Sequence, residues 1–370
     1  MDKEKILLIQ LFSNGDCLFA TTIACQIKQD FPNCSLIWAI STKCKNVLIN
    51  NPFVDEILEI NIPNSKLNEH IFESLVHESL IKKNNKIYKE VIVSQLLGDN
   101  LAYYDSTVCS SIFRCFKYPI TVDTKPIINL TNQEVKSARD FALIHQLNKF
   151  KNIVLFECAP QSNQIKLTNE LIYEYCLNII KQDSTCIILS APNAYNFNNS
   201  HIIDGNTLSI RETIALSQFC THFLGCSSGI SWALTSNSAK ELPMVQLLST
   251  NAYYFNPLSL TFNKLNRSID HLIELTKYDS EVIGEIFYSI FNNGFLKTRI
   301  KYNQKVSPQF KLYRGIIHKF IKQTKFSLIY KFIRLNLKEN GFKLNMIKFM
   351  LLGFFLFPFD YINSKITNKS

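Results

Sequence analysis

Four stretches of strand length, residues 5–11 (KILLIQL), 35–40 (SLIWAI), 152–157 (NIVLFE) and 185–190 (TCIILS), carry their apolar residues in succession rather than alternately. A strand with one face in water alternates apolar and polar residues. A strand that does not is covered on both faces, which a parallel sheet achieves with crossover helices above and below it. The intervening segments supply those helices. Residues 17–29 follow the turn Ser13-Asn14-Gly15-Asp16, and residues 43–50, 132–148, 167–181, 211–218 and 228–236 read as further helices. Shorter apolar runs at 54–60, 90–94, 222–225 and 244–248 complete the strands. The order restarts after the helix at 132–148, so the expected class is α/β, with two successive halves facing a central crevice and no internal repeat. A length of 370 residues also fits two domains, expected at 1–130 and 131–300, followed by a tail at 301–370.

The formal net charge of +10 is concentrated in that tail. Residues 301–370 hold 14 Lys and Arg against Glu339 and Asp360, a net of +12, whereas the first 300 residues are at −2. Between 310 and 332, Phe310, Tyr313, Ile317, Phe320, Ile321, Leu328 and Phe332 recur every three or four residues. Lys311, Lys319, Lys322 and Lys325 fall mostly opposite them. This spacing predicts one basic amphipathic helix. Residues 349–359 (FMLLGFFLFPF) form an apolar block, short of the roughly 20 residues that span a bilayer. Such a tail suits an anionic membrane surface, where each Lys adds about 1 kcal/mol. Packing on the body as ordinary helices is the alternative, and a nucleic-acid surface is disfavoured by the scarcity of Arg and the lack of a known motif. The charged residues 1–5 lead into no secretory pattern, so the expected location is cytoplasmic, peripheral on the inner face of the cytoplasmic membrane. The 11 cysteines are scattered and form no C-x-x-C pair, which reads as reduced thiols with no metal site.

Two loops could carry chemistry. Ser13, Asn14, Gly15 and Asp16 follow the first strand, on the sheet edge that faces the crevice. Asp16 reads either as a helix cap or as a general base for an acceptor hydroxyl. Residues 225–231 (GCSSGIS) place Ser227, Ser228, Gly229 and Ile230 between a strand and a helix, either as a phosphate seat or as a tight turn capped by serines. Lys166, beyond the polar loop 159–164, could neutralise a diphosphate or be an ordinary solvated lysine.

In order, these pieces resemble the lipopolysaccharide heptosyltransferase family, glycosyltransferase family nine. KILLIQLFSNGDCLFATTIACQIKQDFPNCSLIWAI is similar to the family's opening strand, Gly-Asp turn, helix, Phe-Pro and second strand. LSIRETIALSQFCTHFLGCSSGISWALTSNSAKELPMVQLL is similar to its nucleotide-sugar segment. The likeness covers residues 5–60 and 150–250; residues 61–149 match in general plan and the tail not at all. The resemblance implies a GT-B architecture of two Rossmann-like domains. It also implies an inverting, metal-independent bacterial transferase, with no cofactor, moving heptose or another sugar from a nucleotide-diphosphate donor to a lipopolysaccharide or other lipid-linked surface glycan. Asp16 falls on the family's base, Lys166 on the lysine that contacts the donor phosphates, and Ser228 and Gly229 on the phosphate turn. The amides of Ser227 to Ser231 would then hold the leaving diphosphate. Ser227 and Trp232 stand where the family usually has Asp and His, Glu157-Cys158-Ala159-Pro160 replaces a His-Pro-Gly-type turn, and no acidic match is found at 191–199. These departures admit a second reading, a catalytically inactive GT-B module that binds nucleotide or glycan as a membrane-bound assembly factor.

Overall fold

The computed structural model describes residues 3–63, 68–161, 165–181, 184–252 and 255–355. The first half contains β1 (Glu4–Ile9), α1 (Asn14–Asp30), β2 (Cys34–Ser41), β3 (Glu56–Ile60), α2 (Asn68–Asn84), β4 (Glu90–Val93) and α3 (Val108–Cys115). Its four strands lie in the order β3-β2-β1-β4 and every pairing is parallel. After α4 (Asn132–Ile144) come β5 (Asn152–Glu157), α5 (Asn169–Ile179), β6 (Thr185–Ser190), β7 (Ile202–Asp204), α6 (Ile210–Leu216), β8 (His222–Gly225), α7 (Gly229–Ala233), β9 (Met244–Leu247), α8 (Leu258–Lys264), β10 (Leu272–Leu275), α9 (Ser280–Asn293) and α10 (Phe295–Tyr302). The second sheet, β10-β9-β8-β5-β6-β7, is again parallel throughout.

The continuous apolar runs are buried as their pattern requires: Ile6 to Ile9 have no exposure, and every residue of β5 and β6 is buried. Helix limits differ more. α1 begins at Asn14, because Ser13 is its N-cap and the Cys17 N–H already bonds the Ser13 carbonyl at 2.8 Å. The helix expected at 43–50 shrinks to a single 3-10 turn, Lys45–Leu48. The one at 132–148 stops at Ile144, where Gln146 turns left-handed, and the one at 228–236 is only the five residues of α7.

The tail departs furthest from expectation. The single helix expected over 310–332 is two, α11 (Lys311–Lys322) and α12 (Phe326–Asn340), broken where Thr324 takes a φ of 55°. α13 (Leu344–Phe355) follows and contains 349–355 of the apolar block; residues 356–359 lie outside the described residues. Tyr313, Ile317 and Phe320 of α11, Ile329 and Phe332 of α12, and Met346 and Met350 of α13 pack together on Ala102 and Tyr104. α11 and α13 approach closely at Gly353, where a Cβ would come within 2.8 Å of the Ile317 side chain. The apolar stripe that the spacing offers to a membrane is therefore turned inward. Part of the tail's charge is also engaged: Lys319 pairs with Glu69, Lys325 with Asp99 at 2.5 Å, and Glu339 with Arg114 at 2.7 Å. Among the described residues no helix is long and apolar enough to cross a membrane.

Candidate functional site

In the first sheet the strand order reverses between β1 and β4, and in the second β5 lies between β8 and β6. Ligands in open parallel sheets bind at the carboxyl ends of strands beside such reversals. The loops that leave β1, β4, β5 and β8 line one cavity of about 800 Å³ between the two sheets.

On the first-domain side, Gln95, just beyond β4, fixes the loop after β1. Its Oε1 accepts the N–H groups of Leu11 at 2.9 Å and Phe12 at 3.0 Å, and one from the Gln10 side chain at 3.0 Å. Ser13, Asn14, Gly15 and Asp16 all reach the cavity. Asp16 is the third helical residue, not the N-cap, and its carboxyl accepts the Ser13 backbone N–H from inside the first turn. Burial raises its pKa from 3.8 to about 7; the Ser13 bond opposes this and Cys44 adds to it. The carboxyl is enclosed by protein while the residue stays partly accessible at the cavity wall.

On the second-domain side the chain turns sharply. A Cβ on Gly225 would fall 2.2 Å from the Phe223 ring and 2.7 Å from the Ser231 hydroxyl, so only glycine fits. Ser227 follows in the left-handed region at φ 54°, with its N–H on Gln246 Oε1 at 2.8 Å and its hydroxyl on the Asn256 carbonyl. Ser227, Ser228, Gly229 and Ile230 all line the cavity. Beneath them stands Glu157, the last residue of β5, 1% exposed. Its carboxyl accepts the Cys226 N–H at 3.2 Å, the Ser231 hydroxyl at 3.0 Å and the Ser228 hydroxyl. Burial pushes its pKa up to about 7 against these bonds.

The two sides touch. A Cβ on Gly15 would lie 3.9 Å from the Gly229 Cα, and behind this contact Phe19 and Trp232 meet edge to face at 4.7 Å. Lys166 is exposed and does not line the cavity, so the structure brings together every expected site residue but this one. The roles of Glu157 and Gln95 escape sequence reasoning, although Glu157 ends a buried apolar strand and Gln95 follows one by two residues, which is a usable signal. Leu312, Gly315, Ile316 and Lys319 of α11 also line the cavity, and no local pattern announces that. Among the described residues no three His, Cys, Asp or Glu side chains converge as a metal-ligand set.

No protein-family model matches the chain, and no curated protein matches it in sequence. Solved structures do. A glycosyl transferase family 9 protein from Veillonella parvula is 13% identical over 80% of this chain and 98% of its own, with a TM-score of 0.56. The E. coli ADP-heptose lipopolysaccharide heptosyltransferase II is 12% identical over 79% and 99%, with a TM-score of 0.52. A Listeria monocytogenes protein described as a UDP-N-acetylglucosamine 2-epimerase is 9% identical over 87% and 97%, with a TM-score of 0.50. The first two match over nearly their whole length and leave about a fifth of this chain without a counterpart. The likeness is one of fold: the chain has the two-domain GT-B architecture.

Proposed function

We propose that this protein is a divergent relative of the family nine heptosyltransferases and transfers a sugar from a nucleotide-diphosphate donor to an acceptor hydroxyl, with inversion. The observation that carries the reading is the placement of Asp16. Its carboxyl lies in the first turn of α1, where the loops of the two domains meet at Gly15 and Gly229, and is tuned to about 7. A base acts best when its pKa is near the working pH.

In the proposed step the acceptor oxygen attacks the anomeric carbon as its proton passes to Asp16. The bond from that carbon to the diphosphate breaks, and its electron pair leaves on the nucleoside diphosphate. A single displacement from the opposite face inverts the centre. The leaving oxygens would meet the backbone N–H groups of Ser228 and Gly229, in a turn that Gln246 and Glu157 hold, the latter through the Ser228 hydroxyl and the Ile230 N–H. With its pKa raised to about 7, Glu157 is about half protonated at pH 7, which lessens its repulsion of a diphosphate beside it.

The tail's role in this reading is a membrane surface made of outer faces. α12 exposes Phe326, Tyr330 and Leu337 beside Lys331, Arg334 and Lys338, and α13 exposes Leu344, Leu351 and Phe355 beside Lys348. Aromatic and basic residues together suit an anionic interface on the cytoplasmic side, where a lipid-linked glycan acceptor would be met.

The test is a thermal-shift screen of ADP-, GDP-, UDP- and CMP-linked sugars, followed by turnover of the stabilising donor. A native-state ligand at 100 times its Kd stabilises by about 2.7 kcal/mol. No shift at millimolar concentration would favour the inactive-module alternative.

A further inference from the structure

α11 forms one wall of the cavity through Leu312, Gly315, Ile316 and Lys319, a single stripe at helical spacing. The facing wall comes from the segment after β4, with Leu96, Leu101 and Val108. This end of the cavity is mostly hydrocarbon, unlike the polar junction at Asp16 and Ser228. Gly315 is the informative residue. A glycine inside a helix costs about 1 kcal/mol against alanine, so it ordinarily answers a need for close packing or a left-handed backbone. Gly353 meets the first need. Gly315 meets neither: its φ is not positive, and a Cβ built on it finds no atom within 4 Å. Gly315 is exposed and lines the cavity, so the missing side chain leaves open space at the cavity's mouth.

We infer that this end of the cavity, along Gly315 between Leu312, Ile316 and Leu101, receives the hydrocarbon part of the acceptor, making the acceptor a hydroxyl compound that carries an alkyl chain. The inference rests on the transferase reading for the word acceptor, while the subsite itself stands on the shape and lining of the cavity. Lys319, held by Glu69, marks the polar limit of the stripe. α11, which lines the cavity, packs against α12 and α13, whose outer faces carry the exposed aromatic residues.

The probes are n-alkyl β-D-glucosides from methyl to octyl, used below their micelle-forming concentrations on the full chain. Affinity is expected to rise about fourfold per added methylene, the factor that burial of a CH₂ produces. Gly315→Trp fills the space and is expected to weaken octyl glucoside at least tenfold while ADP affinity is unchanged. Gly315→Ala, which adds one methyl to open space, keeps both ligands and melts no lower than wild type, separating a plugged subsite from a misfolded one. Affinity independent of chain length overturns the inference, as does octyl binding that survives Gly315→Trp. So does chain-length dependence abolished by Phe326→Ser and Tyr330→Ser, which would locate the alkyl group on the outer surface. The two readings fail separately: unchanged turnover in Asp16→Asn removes the base chemistry, and a flat alkyl series removes the subsite.

Discussion

Asp105, a carboxylate with no exposure in the first domain, is ion-paired to Lys264 of α8 in the second. Arg114 holds the same carboxylate at 2.6 Å and reaches Glu339 of α12 with its other nitrogen. One buried charge thus ties both domains and the tail together. Burial alone would raise its pKa, but Arg114 and Lys264 outweigh that and hold it below the usual carboxylate range.

Removing that charge leaves Lys264 and Arg114 to share Glu339 alone, so Asp105→Ala is expected to lower the unfolding free energy by about 3 kcal/mol. Lys264→Met leaves Arg114 in place and is expected to cost about 1.5–3 kcal/mol. Because the folded pKa is depressed, the contribution is whole above the unfolded value of 3.8 and is lost as pH falls through the folded one. Urea unfolding at pH 7 and pH 3 checks both; an Asp105→Ala protein as stable as wild type at pH 7 would remove the junction from the fold's energetics.

Asp16→Asn is expected to reduce kcat by about 10²–10⁴ on any confirmed donor and acceptor. In wild type, kcat/KM should climb with pH up to about 7 and then level off, as the base loses its proton. Stability should move oppositely. The folded carboxyl keeps a proton that the unfolded one releases above 3.8, so wild type loses stability as pH rises towards 7. Asn is spared that loss, up to about 4 kcal/mol less the screening by solvent in the cavity. A variant that is both slower and more stable at pH 8 is the expected signature, read by initial rates and melting temperature.

Glu157 adds a second term of the same sign, since burial raises its pKa from 4.5 to about 7. Glu157→Gln should flatten the fall in stability between pH 5 and pH 8 by about 3 kcal/mol. Because glutamine keeps one acceptor for the hydroxyls of Ser228 and Ser231, the slope is more informative than the absolute value. Chemical denaturation at the two pH values measures it, and parallel wild-type and variant slopes would refute the assignment.

For the membrane surface, Phe326→Ser, Tyr330→Ser and Leu337→Ser together should cut sedimentation with phosphatidylserine vesicles several-fold. Each side chain is at least 40% exposed, so the melting temperature should hardly move. Equal sedimentation of wild type and variant would leave α12 without this role.

The sequence made the two parallel sheets legible because a strand buried on both faces cannot conceal its composition: β5, β6 and β8 end where their apolar runs end. The Asp16 loop was legible for a related reason, since in such sheets the strand ends define the site. What escaped depends on distance along the chain. Nothing near Glu157 reveals Ser228 and Ser231, and nothing near Gly315 reveals Leu101. The break at Thr324 was hidden because the short connection leaves Phe320 and Ile329 facing the same cluster, so the periodicity runs on across it. The pairing of Lys319 and Lys325 was hidden in the same way, as their acidic partners Glu69 and Asp99 belong to the first domain.

Asn336 donates to the carbonyl of Tyr104 at 2.9 Å and Asn340 to that of Asp105 at 3.1 Å, beside the cluster that α11 to α13 build on Ala102. During synthesis the first domain therefore emerges with an apolar flank and two backbone acceptors left open, and more than 200 residues must follow before they are covered. Domains commonly fold in the order in which they are made. Here the first to appear is among the last to be finished, and its exposure to chaperones and to aggregation lasts for the time it takes to translate the second.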